Sequence, residues 1–303
     1  MRRGVWRAVA VTALVFVASF GAILGLLLLG EPGGTSLGGN RVAVVEVEGL
    51  IVDAERVVRE LEEHADDPSV RAIVVRIQSP GGVVAPTQEI YDAIGRVRAR
   101  GKPVVASMGA VAASGGYYLA TAASRIMANP GTLTGSIGVI MQLAEVEGLL
   151  KKIGVRYEVI KSGRHKDIGS FSRPMAPEER AILQALLDDM HDQFVTAVAN
   201  GRRLDRAVVL PLADGRVYSG RRAKELRLID DLGGLEEAIR LAAELAGVPG
   251  KPRVVRPRRG FHLSDLLDWL RSQTPLGGVM AGGPTLGGLP LLGTPKLPLY
   301  LMD

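Results

Sequence analysis

Between residues 41 and 246, short runs rich in β-branched residues alternate with helix-length stretches, and few architectures accept that pattern. Residues 41–51 (RVAVVEVEGLI), 70–78 (VRAIVVRIQ), 103–108, 125–128 and 156–161 read as strands. Residues 54–64, 87–100, 112–124 and 145–153 read as the helices between and after them. Such alternation predicts βαβ units on a mainly parallel sheet, an α/β domain. The longest helix is predicted over 177–200. Pro177 suits its first position, and Ile182, Leu183, Leu186, Leu187, Met190, Phe194 and Val198 recur at three-and-four spacing as one apolar face. Residues 220–227 and 235–246 add two more helices.

The two ends have a different chemistry. Residues 8–30 contain no charge, and the 21 residues from Val9 to Leu29 would make a helix of about 32 Å, enough for a hydrocarbon core of about 30 Å. Arg2, Arg3 and Arg7 precede this run, which predicts an N-terminus inside and the remainder outside. No small-x-small cleavage site follows Leu29, so the segment reads as an uncleaved single-pass anchor in the cell membrane rather than a removed signal peptide. The expected organisation is a stub and transmembrane helix (1–30), a glycine-rich tether (31–40), a folded domain (41–248) and a basic tail (249–303). The tail holds eight of the 17 prolines and one short amphipathic island, 263–272.

Charge follows the same division. The net of +5 suggests nucleic acid until it is located: residues 1–30 carry three cations and no anion, and residues 251–303 carry seven cations and three anions. The part between them is left at −2, so the basic ends suit a membrane surface and no nucleic-acid partner is expected. There is no cysteine, which excludes disulfides, thiolate metal sites and a cysteine nucleophile. The four histidines are too scattered for a metal centre. No metal and no cofactor are expected.

Three glycine-flanked segments sit at the ends of predicted elements. In Ser79-Pro80-Gly81-Gly82, two glycines after a strand let backbone N–H groups approach a ligand closely. In 109–118 (GAVAASGGYY), Ser114 lies among small residues at a helix start, where positive partial charge favours an oxyanion; the plainer reading is a helix cap. In 161–169 (KSGRHKDIG), Lys166 and His165 are both candidate bases. A lysine works only if burial or nearby cations disfavour its ammonium form, and a histidine would need Asp167 or Asp188 to orient it. Spacing does not choose between them, and a solvated basic loop is the simplest alternative.

Taken together and in order, SPGG (79–82), AASGGYYLA (112–120), LTGSIGV (133–139), KSGRHKDIGS (161–170), MAPEER (175–180) and DGRVYSGRRAKELRLIDDLGG (214–234) resemble the signal peptide peptidase A, or protease IV, family. The resemblance implies a Clp-protease-like fold, related to that of crotonases, and a serine endopeptidase that cuts released signal peptides and other unfolded apolar peptides. It implies Ser114 as nucleophile, Lys166 as general base and Ser136 as the residue orienting the lysine. The oxyanion hole would be formed by Gly82 and Gly115, with Gly81 the adjacent alternative. Because serine and lysine come from different copies in this family, one such domain implies a ring-shaped homo-oligomer. Gln78 stands where asparagine is usual, and Ala176-Pro177 replaces the common threonine cap. The alternatives kept beside this reading are a non-catalytic anchored scaffold and a crotonase-type acyl-CoA enzyme. The apolar C-terminus, 297–303 (LPLYLMD), resembles a substrate and suggests self-occupancy of the site.

Overall fold

In the computed structural model, residues 40–256 and 299–300 are described. The elements follow the expected alternation: β1 (Arg41–Glu48), α1 (Glu55–Asp66), β2 (Val70–Ser79), β3 (Gly82–Val83), α2 (Val84–Ala99), β4 (Val104–Ala113), α3 (Gly115–Ala120), β5 (Arg125–Ala128), β6 (Leu133–Gly135), α4 (Glu147–Lys152) and α5 (Pro177–Arg202). A short α6 (Arg206–Val209), β7 (Val217–Ser219), α7 (Gly220–Glu225), β8 (Asp231–Leu232), α8 (Leu235–Leu245), β9 (Arg253–Val255) and β10 (Leu299–Tyr300) complete it. Strands β7-β6-β4-β2-β1-β9 form one sheet, with β5 and β8 branching from β4. Every pairing in it is parallel except β6 with β7.

Both faces of the sheet are covered, which is why its strands are apolar at consecutive positions. Ala43, Val45 and Val47 of β1 and Ile73, Val75 and Ile77 of β2 face a core shared with Leu61, Ile90, Ile94 and Phe194 of the helices. Val42, Val44, Ala72 and Val74 face the opposite layer, closed by Ala238, Ile239, Ala242 and Ala243 of α8.

Three expectations need correction. The helix predicted over 112–124 is only Gly115–Ala120, because β4 runs on to Ala113. Residues 156–161 form no strand: they are exposed throughout and pair with no strand among the described residues. The apolar stripe of α5 is buried only in its second half, at Phe194 and Val198; Ile182 and Leu186 are 44% and 40% exposed. Among the described residues no helix is long and apolar enough to cross a membrane. The expected anchor, the tether and the island at 263–272 lie outside the described residues.

Candidate active site

Ser114 is the hinge between β4 and α3, and the sequence makes that hinge tight. Its φ is 51° and its ψ −118°, a sparsely populated conformation for a residue with a Cβ. Of the four non-glycine residues with positive φ among those described, two are the candidate serines, Ser114 and Ser136. Strain of this kind persists only where surrounding structure enforces it. Here Ser114 N donates to Gly135 O at 2.8 Å, and Tyr118 N donates to Ser114 O at 2.8 Å. The capping alternative is not what the fold shows: the Ser114 side chain caps nothing. Its Oγ is fully buried and has no hydrogen-bond partner among the described residues.

A buried hydroxyl without a partner costs about 1–3 kcal/mol, so its presence asks for a reason. The neighbouring backbone supplies one. A methyl placed on Gly115 would lie 3.2 Å from the Gly82 amide nitrogen, so the two glycine backbones are packed against one another beside Ser114. A methyl on Gly82 would lie 2.0 Å from Ile51 O, and one on Gly116 2.9 Å from Ser79 O. Only glycine permits these approaches. The Gly81 N–H is engaged with Ser79 Oγ at 3.1 Å. Thr87, which the sequence reading passed over, braces the turn: its Oγ1 donates to Val83 O at 2.8 Å, and a methyl on Gly115 would meet that oxygen at 3.0 Å. Gln78 works in the sheet, accepting from Ala110 N at 2.9 Å.

Strand register brings the second serine in. Ala113 pairs with Gly135, so Ser114 and Ser136 are the next residues along two adjacent strands. Thr134 Oγ1 donates to Ala112 O at 2.7 Å and fixes that register. Ser136 is also buried, and its N–H donates to Arg216 O at 2.9 Å.

Lys166 is not with them. It lies on an exposed loop after residue 160, and its side chain makes no hydrogen bond or ion pair among the described residues. Nor does a histidine triad assemble. His165 Nε2 faces Glu178 at 3.5 Å, Asp167 is bound by Lys161 and Arg173, and the Asp188 carboxylate accepts from Gln184. The loop is therefore more than a solvated basic run, because Arg173 and Glu179 tie it to α5. Neither residue was singled out from the sequence. The signal was the six-residue spacing Asp167–Arg173–Glu179, which only three-dimensional contact makes meaningful.

One further element meets the site. Leu299 and Tyr300 pair antiparallel with Val83 and Gly82, while Ile51, in the loop after β1, forms an isolated parallel bridge with Gly82. The edge of β3 that begins at Gly82 thus carries an extended segment from the chain's own C-terminal end.

Residues 96–249 match the family model for Peptidase family S49, and residues 44–146 match that for Clp protease. A Synechocystis sp. protein with a provisional protease name is 48% identical over 210 residues, covering 69% of this chain and 76% of the relative. Protease 4 of Salmonella typhi is 37% identical over 217 residues, 69% of this chain but 35% of the relative. The chloroplastic serine protease SPPA of Arabidopsis thaliana is 34% identical over 228 residues, 74% of this chain and 34% of the relative. The chain thus spans about a third of the length of those two longer proteins. The region matched to Peptidase family S49 runs through the Ser114 hinge and the Lys166 loop alike, and it favours a serine peptidase over the acyl-CoA and scaffold readings. With a Clp-protease-like fold and this match over half its length, the chain belongs to peptidase family S49 and is a serine peptidase.

Proposed function

We propose that the chain is a membrane-anchored endopeptidase that uses Ser114 and Lys166 as a catalytic dyad and acts on released signal peptides and other unfolded apolar peptides. The observation that carries this reading is the buried, unpartnered Ser114 Oγ on a strained hinge beside the packed amides of Gly82 and Gly115. In the proposed reaction Ser114 Oγ attacks the peptide carbonyl while its proton passes to the uncharged Nζ of Lys166. The Gly82 and Gly115 N–H groups hold the developing oxyanion, and Ser136 orients the lysine. Collapse expels the amine, which takes the proton from Lys166. The same lysine then activates water against the acyl-enzyme.

In this reading the dyad is completed between two copies of the chain. Ser114 Oγ has no hydrogen-bond partner among the described residues, and large apolar side chains are exposed both near the lysine loop in sequence, at Ile153, Val155, Tyr157 and Ile160, and on α5, at Ile182 and Leu186. Ile160 is 96% exposed. In a ring these surfaces would be covered, and the lysine of one copy would meet the serine of the next, as the family resemblance implies. Residues 41–248 would then be the peptidase domain, held by 1–30 on the outer face of the cell membrane where spent signal peptides are released. No cofactor, metal or nucleic acid enters this scheme.

The direct test is a fluorophosphonate probe on the full chain in detergent, followed by peptide mapping. Labelling confined to Ser114 supports the reading, and labelling elsewhere removes it. Because the base must be uncharged and a lysine ordinarily titrates near 10, turnover of a fluorogenic apolar peptide should rise from about pH 6 to about pH 9. A flat profile over that range would exclude lysine as the base.

The pairing of Leu299–Tyr300 with β3 supports extended peptides as substrates, since it shows a strand edge that accepts them by main-chain hydrogen bonding. It also means that the C-terminus competes for that edge, with the advantage of intramolecular concentration. Truncation after Gly293 should therefore raise turnover several-fold at low substrate and lower the apparent KM. Unchanged kinetics would remove the competition.

A further inference from the structure

The loop that bears Lys166 is tied to the start of the longest helix at Glu178 and Glu179, and the more buried of the two ties runs through the Arg173 guanidinium. Arg173 Nε donates to Asp167 Oδ2 at 2.9 Å, and Arg173 Nη1 and Nη2 donate to the two oxygens of Glu179 at 2.8 and 2.5 Å. Glu179 Oε2 also accepts from Ala176 N at 3.0 Å, closing the first turn of α5. Asp167 is joined from the other side by Lys161 Nζ, which donates to Arg164 O as well. The chain between Lys161 and Asp167 is thus pinned at both ends, and Lys166 is the residue just before the pin. Glu178, on the same helix turn, pairs with the Arg164 guanidinium and faces the His165 ring at 3.5 Å.

Three features set this apart from an ordinary surface ion pair. The Glu179 side chain is 5% exposed and that of Asp167 12%. The Arg173–Glu179 contact is bidentate, the geometry in which arginine imposes orientation as well as charge. And one cation serves two carboxylates, so its loss leaves both short of a partner. Arg173 and Ala176 hold the Glu179 carboxyl down to about 2, and Arg173 and Lys161 hold Asp167 below the usual carboxylate range. Both carboxylates therefore stay ionised at any pH where a lysine base operates, and their own titration does not enter an activity profile there.

We infer that Arg173 is a positioning residue for the reaction: by bridging Asp167 to Glu179 it fixes where the Lys166 amine is presented to the serine of a neighbouring copy. This rests on the dyad reading above. A flexible lysine side chain on an unpinned loop would sample many positions, and misplacement by about 1 Å can cost a hundredfold in rate.

The test uses the full chain in detergent with four forms: wild type, Arg173→Ala, Arg173→Lys and Lys166→Ala. For the assembled fraction of each, kcat and KM are measured. Arg173→Ala is expected to lower kcat on the order of tenfold to a hundredfold with KM within about twofold. Arg173→Lys keeps the charge but not the fork, so it should recover only part of kcat. If assembled Arg173→Ala keeps the wild-type kcat, the inference is overturned and the clamp is only structural. If Arg173→Ala fails to assemble, Arg173→Lys decides alone: wild-type kcat there overturns the role of the fork. Activity in Lys166→Ala would sink the dyad reading instead, a result distinguishable from either of these.

Discussion

Ser114→Ala should leave a protein that is more stable and inactive. The hydroxyl is buried and unpartnered, so its removal relieves a desolvation cost of about 1 kcal/mol and should raise Tm by roughly 2–4 °C for a domain of this size. Turnover should fall by at least about 10³-fold, since the other hydroxyl beside Gly115, that of Thr87, is engaged in donating to Val83 O. Lys166→Ala should be equally inactive but should leave Tm nearly unchanged, because that side chain is exposed and makes no hydrogen bond or ion pair among the described residues. His165→Ala should retain activity, as its ring faces Glu178 and not the serine. Mixing the two inactive proteins gives the sharpest outcome. If serine and lysine come from different copies, co-assembled Ser114→Ala and Lys166→Ala chains contain some sites with both groups intact, and activity returns. A mixture that assembles yet stays inactive would place both groups in one copy. Loss of activity in His165→Ala with survival of Lys166→Ala would replace the dyad by a triad.

The sequence was most informative where local chemistry has one solution. The buried strands 41–48 and 70–79 and the glycine turns are legible because β-branched runs and paired glycines have few other uses. Pro177 marks the start of α5 for the same reason. Failures fall where the deciding partner is remote. Among the described residues, 156–161 have strand composition but pair with no strand, and the first half of α5 has an apolar face that is largely exposed. Burial of both would need a surface outside the described residues, such as the second copy that the proposed dyad invokes. The candidate site divides similarly. Ser114, Ser136, Gly82 and Gly115 converge through register and close backbone packing. Lys166 was named through family resemblance, and one chain leaves it apart from them. Arg173 and Glu179 were invisible because an ion pair six residues apart, spanning a loop and a helix start, has no periodic signature.

Gly82→Ala should damage both fold and chemistry, and the two losses can be separated. The added methyl would sit 2.0 Å from Ile51 O and 2.6 Å from Ile51 C and N, all backbone atoms that no rotamer change can clear. Strand β3 must therefore move off the bridge to Ile51, where Val83 N now donates to Ile51 O at 2.7 Å. Overpacking of this sort costs about 1–3 kcal/mol, or a Tm lower by roughly 2–12 °C. If the Gly82 N–H is an oxyanion donor, the same movement carries it away from the developing charge, at about 3–4 kcal/mol or a 10²–10³-fold fall in kcat. Gly131→Ala is the matched control, since a methyl there meets open space, and it should change neither quantity. Measured well below its Tm, folded Gly82→Ala should lose kcat by far more than its unfolded fraction accounts for. It should also keep fluorophosphonate labelling of Ser114 weaker than wild type at equal folded concentration. A variant that is destabilised yet turns over normally per folded molecule would leave Gly82 with a packing role alone. The oxyanion hole would then have to be built from the Gly115 amide and some other donor, because the Gly81 N–H already serves Ser79.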